Sequence, residues 1–169
     1  FMKIAPIIHA IEKKEGIEHR LVHTGQHYNK NLSETFFNEL NIPKPAVNLN
    51  VKSGSQATQT AAIMVAFEKE LEENKTDLVL VVGDVTSTMA CAIVAKKAHV
   101  KVAHIEAGIR SGDLNMPEEI NRIVVDLISD YLFCTDSYSV KNLNKEGGVL
   151  EGTMQGIGGV LKKFGLGDL

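Results

Sequence analysis

Apolar residues at Met2, Ile4, Ile7, Ile8 and Ile11 recur at close to the helical period, which predicts a helix over residues 1–14. Pro6 falls where a first turn tolerates proline. Residues 18–23 alternate as a short strand that breaks at Thr24-Gly25-Gln26-His27. A short helix is predicted over 32–40, closed by Asn41, Pro43 and Pro45. A strand over 47–51, a loop over 52–55 and a long helix over 57–74 follow, the helix charged in its C-terminal half.

The clearest pattern comes next. Residues 77–82 form an almost purely apolar, β-branched run, which suits a strand buried on both faces of a parallel sheet. Gly83-Asp84 ends it, residues 86–97 read as an alanine-rich helix, and 100–105 as a second buried strand ending at Glu106-Ala107-Gly108. This is a βαβ unit, for which a right-handed crossover is expected. A polar loop leads to a helix over 117–129 with Pro117 in its first turn, then a strand over 131–135 and a helix over 137–146. Strands alternating with helices predict an α/β fold with a doubly wound parallel sheet, Rossmann-like, over residues 1–147. Residues 148–169 form a glycine-rich tail with no assigned element beyond a turn or two of helix at 160–164. No internal repeat is visible.

Composition narrows the classes. With 169 residues the chain suits one domain; 44% hydrophobic and 23% charged residues are ordinary for a globular protein. A net charge of -3 with no Lys/Arg block gives no footprint for nucleic acid. The longest apolar runs, 78–82 and 123–125, are far short of a membrane span, and no signal peptide is expected at the start. Cys91 and Cys134 sit in apolar surroundings without CxxC spacing, so both are expected to be buried thiols of a cytoplasmic protein.

Ligands of open α/β sheets bind beyond the carboxyl ends of the strands. That rule singles out Asp84 and Glu106, which follow paired strands and so share one sheet edge. Two acids on one cleft suit general acid–base chemistry. The competing reading makes Asp84 the cap of the helix that starts near Thr86, and Glu106 a loop carboxylate. Glu118, Arg122 and Asp126 lie four apart on the next helix, either a solvated charge ladder or a third part of the site. The loop Arg110-Ser111-Gly112-Asp113-Leu114-Asn115 before it is dense in polar groups, as ligand loops are. Gln26-His27-Tyr28-Asn29 also follows a strand, where a lone histidine is commonly an ordinary loop residue. His9, His19, His23, His99 and His104 show no metal-ligand spacing, and no metal is expected. Neither GxxxxGK[ST] nor GxGxxG occurs, so neither a P-loop nor a dinucleotide cofactor is supported.

Taken together, Lys3-Ile4-Ala5-Pro6, Thr24-Gly25-Gln26-His27-Tyr28, Gly83-Asp84-Val85-Thr86-Ser87-Thr88, His104-Ile105-Glu106-Ala107-Gly108-Ile109-Arg110 and Met116-Pro117-Glu118-Glu119-Ile120-Asn121-Arg122 resemble the non-hydrolysing UDP-N-acetylglucosamine 2-epimerases. The resemblance covers residues 1–147 in family order, and the HxEAGxR and PEExNR pair is highly specific. It implies one half of a GT-B-type architecture, two Rossmann-like domains facing across a cleft. The implied reaction interconverts UDP-N-acetylglucosamine and UDP-N-acetylmannosamine through UDP elimination, a 2-acetamidoglucal intermediate and re-addition. By the same resemblance Asp84, Glu106 and Glu118 are the catalytic carboxylates, and Lys3, Arg110 and Arg122 bind substrate. Gln26 and His27 match a segment that contacts a regulatory UDP-N-acetylglucosamine. No cofactor is implied, and a homodimer is expected.

Three features depart from the family pattern. The Gly-Thr-Arg-Pro-Glu loop and the central strand before it would precede Phe1, so the chain is expected to belong to a longer protein. A second domain, with a catalytic histidine and most uridine and phosphate contacts, would follow it. Val85 replaces a threonine and Leu127 a more polar residue, neither at a site position. The alternatives are a hydrolysing epimerase releasing N-acetylmannosamine and UDP, an inactive half-domain, and a glycosyltransferase of the same overall fold, against which the two motifs argue.

Overall fold

The computed structural model describes residues 3–25 and 39–146 and the backbone of 153–155. Its elements are α1 (Ala5–Glu12), β1 (Val22–His23), β2 (Val47–Asn48), α2 (Gln56–Glu73), β3 (Leu78–Val82), α3 (Thr86–Lys97), β4 (Lys101–Ala107), α4 (Pro117–Ile128), β5 (Tyr131–Cys134), α5 (Ser137–Lys145) and β6 (Thr153–Gln155). From α2 to α5 these follow the hydrophobic pattern within a residue or two. Both early strands are shorter than predicted. Most of the helix predicted over 32–40, and the turn at 160–164, lie outside the described residues. β6 falls in the tail, where the pattern predicts no element.

All strand pairs are parallel: β1 with β2 in one small sheet, and β3-β4-β5-β6 in order in a second. The alternation of the pleat sorts side chains between two layers. Leu78, Leu80, Val82, Ala103, Ile105 and Phe133 pack with Ile7 and Ile11 of α1. Val79, Val81 and Val102 turn to the other face and pack with Ile63 and Phe67 of α2, with Ala90, Cys91 and Val94 of α3, and with Val125 of α4. Helices on both faces of a parallel sheet make the fold Rossmann-like, as the sequence predicts. Ser55 caps α2, accepting from the Thr58 N–H at 3.2 Å, and Asp136 caps α5, accepting from the Ser139 N–H at 2.8 Å. Among the described residues the β3 edge opposite β4 pairs with no strand. No described helix is long and apolar enough to cross a membrane. Both cysteines are buried free thiols, as expected; burial pushes Cys91 up to about 12.

Candidate active site

The carboxyl ends of β3 and β4 lie side by side, tied by the Gly83 N–H donating to the Ile105 carbonyl at 3.0 Å. Here the β4–β5 register shifts between Ile105 and Ala107, and Glu106 takes the left-handed conformation, φ +73°. A bulge re-aims the side chain of the residue it displaces, and the Glu106 carboxylate comes to rest against Gly83. The position a Cβ on Gly83 would occupy is 3.5 Å from Glu106 Oε2, and Gly83 itself has φ +73°. Lys3 Nζ lies 2.7 Å from each Glu106 oxygen. Asp84 and Glu106, which sequence reasoning pairs, leave neighbouring strand ends, each beside a cation.

Asp84 does not cap α3. The cap position is Val85, which makes no side-chain cap hydrogen bond. The Asp84 carboxylate instead pairs with Arg122 of α4, and its carbonyl accepts from Asn121 Nδ2 at 2.8 Å. That excludes the capping alternative and ties the β3 loop to α4.

The charge-ladder alternative on α4 also fails, for a geometric reason. Arg122 reaches Asp84 and, at i,i+3, Glu119 at 2.8 Å, while Asp126 turns to His104 and Arg110. The helix is inverted relative to a surface helix: Glu119, Asn121 and Asp126 are buried, whereas Ile120 and Leu127 are exposed. Glu118 is half-buried in the first turn, next to these groups.

Glu119 is the residue that sequence reasoning passed over. Only 2% exposed, it accepts from the Ser111 N–H at 3.0 Å, the Gly112 N–H at 2.9 Å and Arg122. Burial alone would raise its pKa; the two loop N–H groups and Arg122 outweigh that and hold it down at about 2. It fixes the loop between β4 and α4. The available signal was the second glutamate of Pro117-Glu118-Glu119, three residues ahead of Arg122 and following a polar loop.

Arg110 lies in a network of its own. It forks onto Glu146 at 2.8 and 2.6 Å, and its third nitrogen donates to Asp126 at 2.7 Å and to the Ile109 carbonyl at 2.8 Å. Burial opposes the guanidinium charge, but Glu146 and Asp126 outweigh it and raise its pKa. Gln26 and His27 lie outside the described residues. A groove of about 500 Å³ runs over α3 between α2 and α4, lined by Ala57, Ala61, Met64, Met89, Pro117 and Ile120 among others; none of the three candidate acids lines it.

Asp84 and Glu106 lie on the carboxyl edge of a Rossmann-like sheet, each beside a cation, an arrangement suited to acid–base chemistry. A profile of the UDP-N-acetylglucosamine 2-epimerase family matches residues 9–158, and the chain belongs to that family. It is 47% identical over 146 residues to the UDP-N-acetylglucosamine 2-epimerase of Methanocaldococcus jannaschii, covering 86% of this chain and 40% of the relative. It is 44% identical over 147 residues to a UDP-2,3-diacetamido-2,3-dideoxy-D-glucuronate 2-epimerase of Pseudomonas aeruginosa, covering 87% and 42%. The crystal structure of the M. jannaschii enzyme in complex with UDP-GlcNAc and UDP superposes with a TM-score of 0.89 at 44% identity, covering 95% of this chain and 44% of that one. The chain therefore spans about two-fifths of the length of these relatives.

Proposed function

We propose that this chain forms the acid–base half of an enzyme that interconverts UDP-N-acetylglucosamine and UDP-N-acetylmannosamine at C2. One observation carries the reading: in a chain of this family, Asp84 and Glu106 sit on adjacent strand ends, each beside a cation. In the proposed reaction a carboxylate takes the C2 proton while the C1–O bond breaks and UDP leaves with the electron pair, giving 2-acetamidoglucal. A carboxylic acid then returns a proton to the opposite face of C2 and UDP re-adds at C1. Asp84, Glu106 and Glu118 are proposed to share these transfers, with Lys3 beside Glu106 and Arg122 beside Asp84. Lys3, Arg122 and Arg110 are proposed to bind substrate, which requires each to exchange a present carboxylate partner, and Gln26 and His27 are proposed to contact a second, regulatory UDP-N-acetylglucosamine. No metal or nicotinamide is needed, because side chains carry every proton.

The experiment follows the C2 proton. In D₂O the protein from the complete reading frame is expected to exchange it, while Glu106→Gln and Glu118→Gln lose exchange by about 10²–10⁴-fold and keep nucleotide binding. Exchange persisting in both variants would remove those residues from the proton transfers. A free-sugar product would instead mark the hydrolysing alternative. The Pseudomonas relative, nearly as similar, is named for a diacetamido-glucuronate substrate, so the second reading is C2 epimerisation of that sugar nucleotide. The ratio of kcat/KM on the two substrates decides between them.

The same reading makes the protein a cytoplasmic homodimer that supplies a precursor for polysaccharide assembly. Support for the dimer comes from the exposed apolar side chains of Ile120 and Leu127 on α4 and of Leu114 and Met116 just before it.

A further inference from the structure

His104 is completely buried, yet both its ring nitrogens have oxygen partners. Nε2 lies 2.9 Å from the Gly83 carbonyl oxygen, and Nδ1 lies 2.6 Å from Asp126 Oδ1. A carbonyl only accepts, so Nε2 carries a proton and donates it. The other Asp126 oxygen accepts from the Gly108 N–H at 3.0 Å and from Arg110 at 2.7 Å. One buried pair therefore touches the backbone just before Asp84 and just after Glu106. The Gly83 N–H on the Ile105 carbonyl and Asn121 on the Asp84 carbonyl also hold these loops, whereas the Lys3 contact on Glu106 comes from a side chain 64% exposed.

We propose that His104 is a positioning residue: braced by Asp126, its Nε2–H holds the Gly83 carbonyl and so sets the Asp84 loop against the Glu106 loop. The inference rests on the acid–base reading above and adds to it the device that keeps the two carboxylates in register. The backbone at Gly83 and at Gly108 cannot move relative to this pair without breaking a buried hydrogen bond, an expensive step for groups sealed from water. Misplacing reacting groups by about 1 Å can lower a rate about 10²-fold, so a loose clamp costs turnover before it costs binding.

Two substitutions separate positioning from packing. Glutamine carries its amide nitrogen at about the reach of Nε2, and asparagine at about that of Nδ1. His104→Gln therefore keeps the donor to Gly83 and gives up the bond to Asp126, while His104→Asn does the reverse. In the protein from the complete reading frame, His104→Asn is expected to lower kcat about 10²-fold with KM within about threefold, the split of a lost transition-state geometry. His104→Gln is expected to stay within about fivefold of the parent. Amide hydrogen exchange of residues 83–86 should accelerate in the asparagine variant and not in the glutamine variant. Equal losses in both variants, or unchanged exchange in His104→Asn, would overturn the proposal. If neither variant folds, ring ¹⁵N NMR of the parent decides: a protected Nε2–H supports the clamp, and an unprotonated Nε2 refutes it. A parent protein inactive on both sugar nucleotides would sink the epimerase reading, and the exchange and NMR results would still judge the clamp.

Discussion

At the scale of single residues, strain and charge are concentrated where the chemistry is placed. Glu106 holds φ +73°, a conformation that costs an L-residue roughly 1–2 kcal/mol. Its ion pair with the mostly exposed Lys3 returns at most about 1 kcal/mol. Glu106→Gly should therefore be neutral or more stable, by up to about 1 kcal/mol in urea denaturation, while losing C2 exchange. A loss of 2 kcal/mol or more would mean that the side chain holds the bulge together. Glu119 behaves in the opposite sense. Its pKa is depressed from an ordinary 4.5 to about 2, so the folded state binds its proton more weakly than the unfolded chain does. Its contribution is complete above about pH 4.5 and is lost as pH falls through about 2. Glu119→Gln, which leaves Arg122 without that partner, should cost about 3 kcal/mol at pH 7. It should also flatten the acid limb of stability between those pH values, and an unchanged limb would assign the acid sensitivity elsewhere. Asp84 and Glu106 were legible in the sequence because strand ends mark their positions. Glu119 was not, since nothing in a Glu-Glu pair says which carboxylate turns inward.

Among the elements, α4 and α5 show what sequence periodicity can and cannot give. The bounds of α4 were legible from Pro117 and the apolar rhythm, but its orientation was not. The helix buries Glu119, Asn121 and Asp126 along with Val125, because the neighbouring loops supply partners for the polar groups, and leaves Ile120 and Leu127 exposed. Apolar side chains left at the surface call for a cover. Leu127 is 81% exposed, so Leu127→Glu should leave the monomer fold intact while shifting the sedimentation or light-scattering mass from dimer to monomer. A mass unchanged by the substitution would move the dimer contact off this helix. The seat of α5 depends on Gly108. A Cβ there would lie 2.4 Å from the Ser139 carbonyl oxygen, and φ is +80°. Gly108→Ala must push α5 off the end of β4 or distort the turn, a loss of about 2–3 kcal/mol, and by moving the Asp126 contact it should depress activity further than stability alone explains.

For the whole molecule, the proposed reading makes the acids half of a site. The alternation of strands and helices made the Rossmann-like layer legible, and the paired motifs made the family legible. The pairing of Thr153–Gln155 with β5 was hidden, because a three-residue strand in a glycine-rich stretch has too few positions to show a period. Chemistry at C2 needs more than the acids: a sugar held within reach, a pyrophosphate neutralised as it leaves, and water kept away from a reactive glycal. Among the described residues the acid edge is open, with Lys3 64% and Asp84 33% exposed at the side chain, and the cations there already serve carboxylates. The relatives that the chain matches are more than twice as long. A polypeptide of these 169 residues alone is therefore expected to show no measurable exchange at C2, at least about 10³-fold below the complete protein, even where circular dichroism reports a folded α/β chain. Exchange above that limit would show that Asp84, Glu106 and Glu118 suffice without a facing wall. Its absence, with activity restored when the complete reading frame is expressed, would assign substrate grip and water exclusion to the remainder of the protein and proton transfer to this part of it.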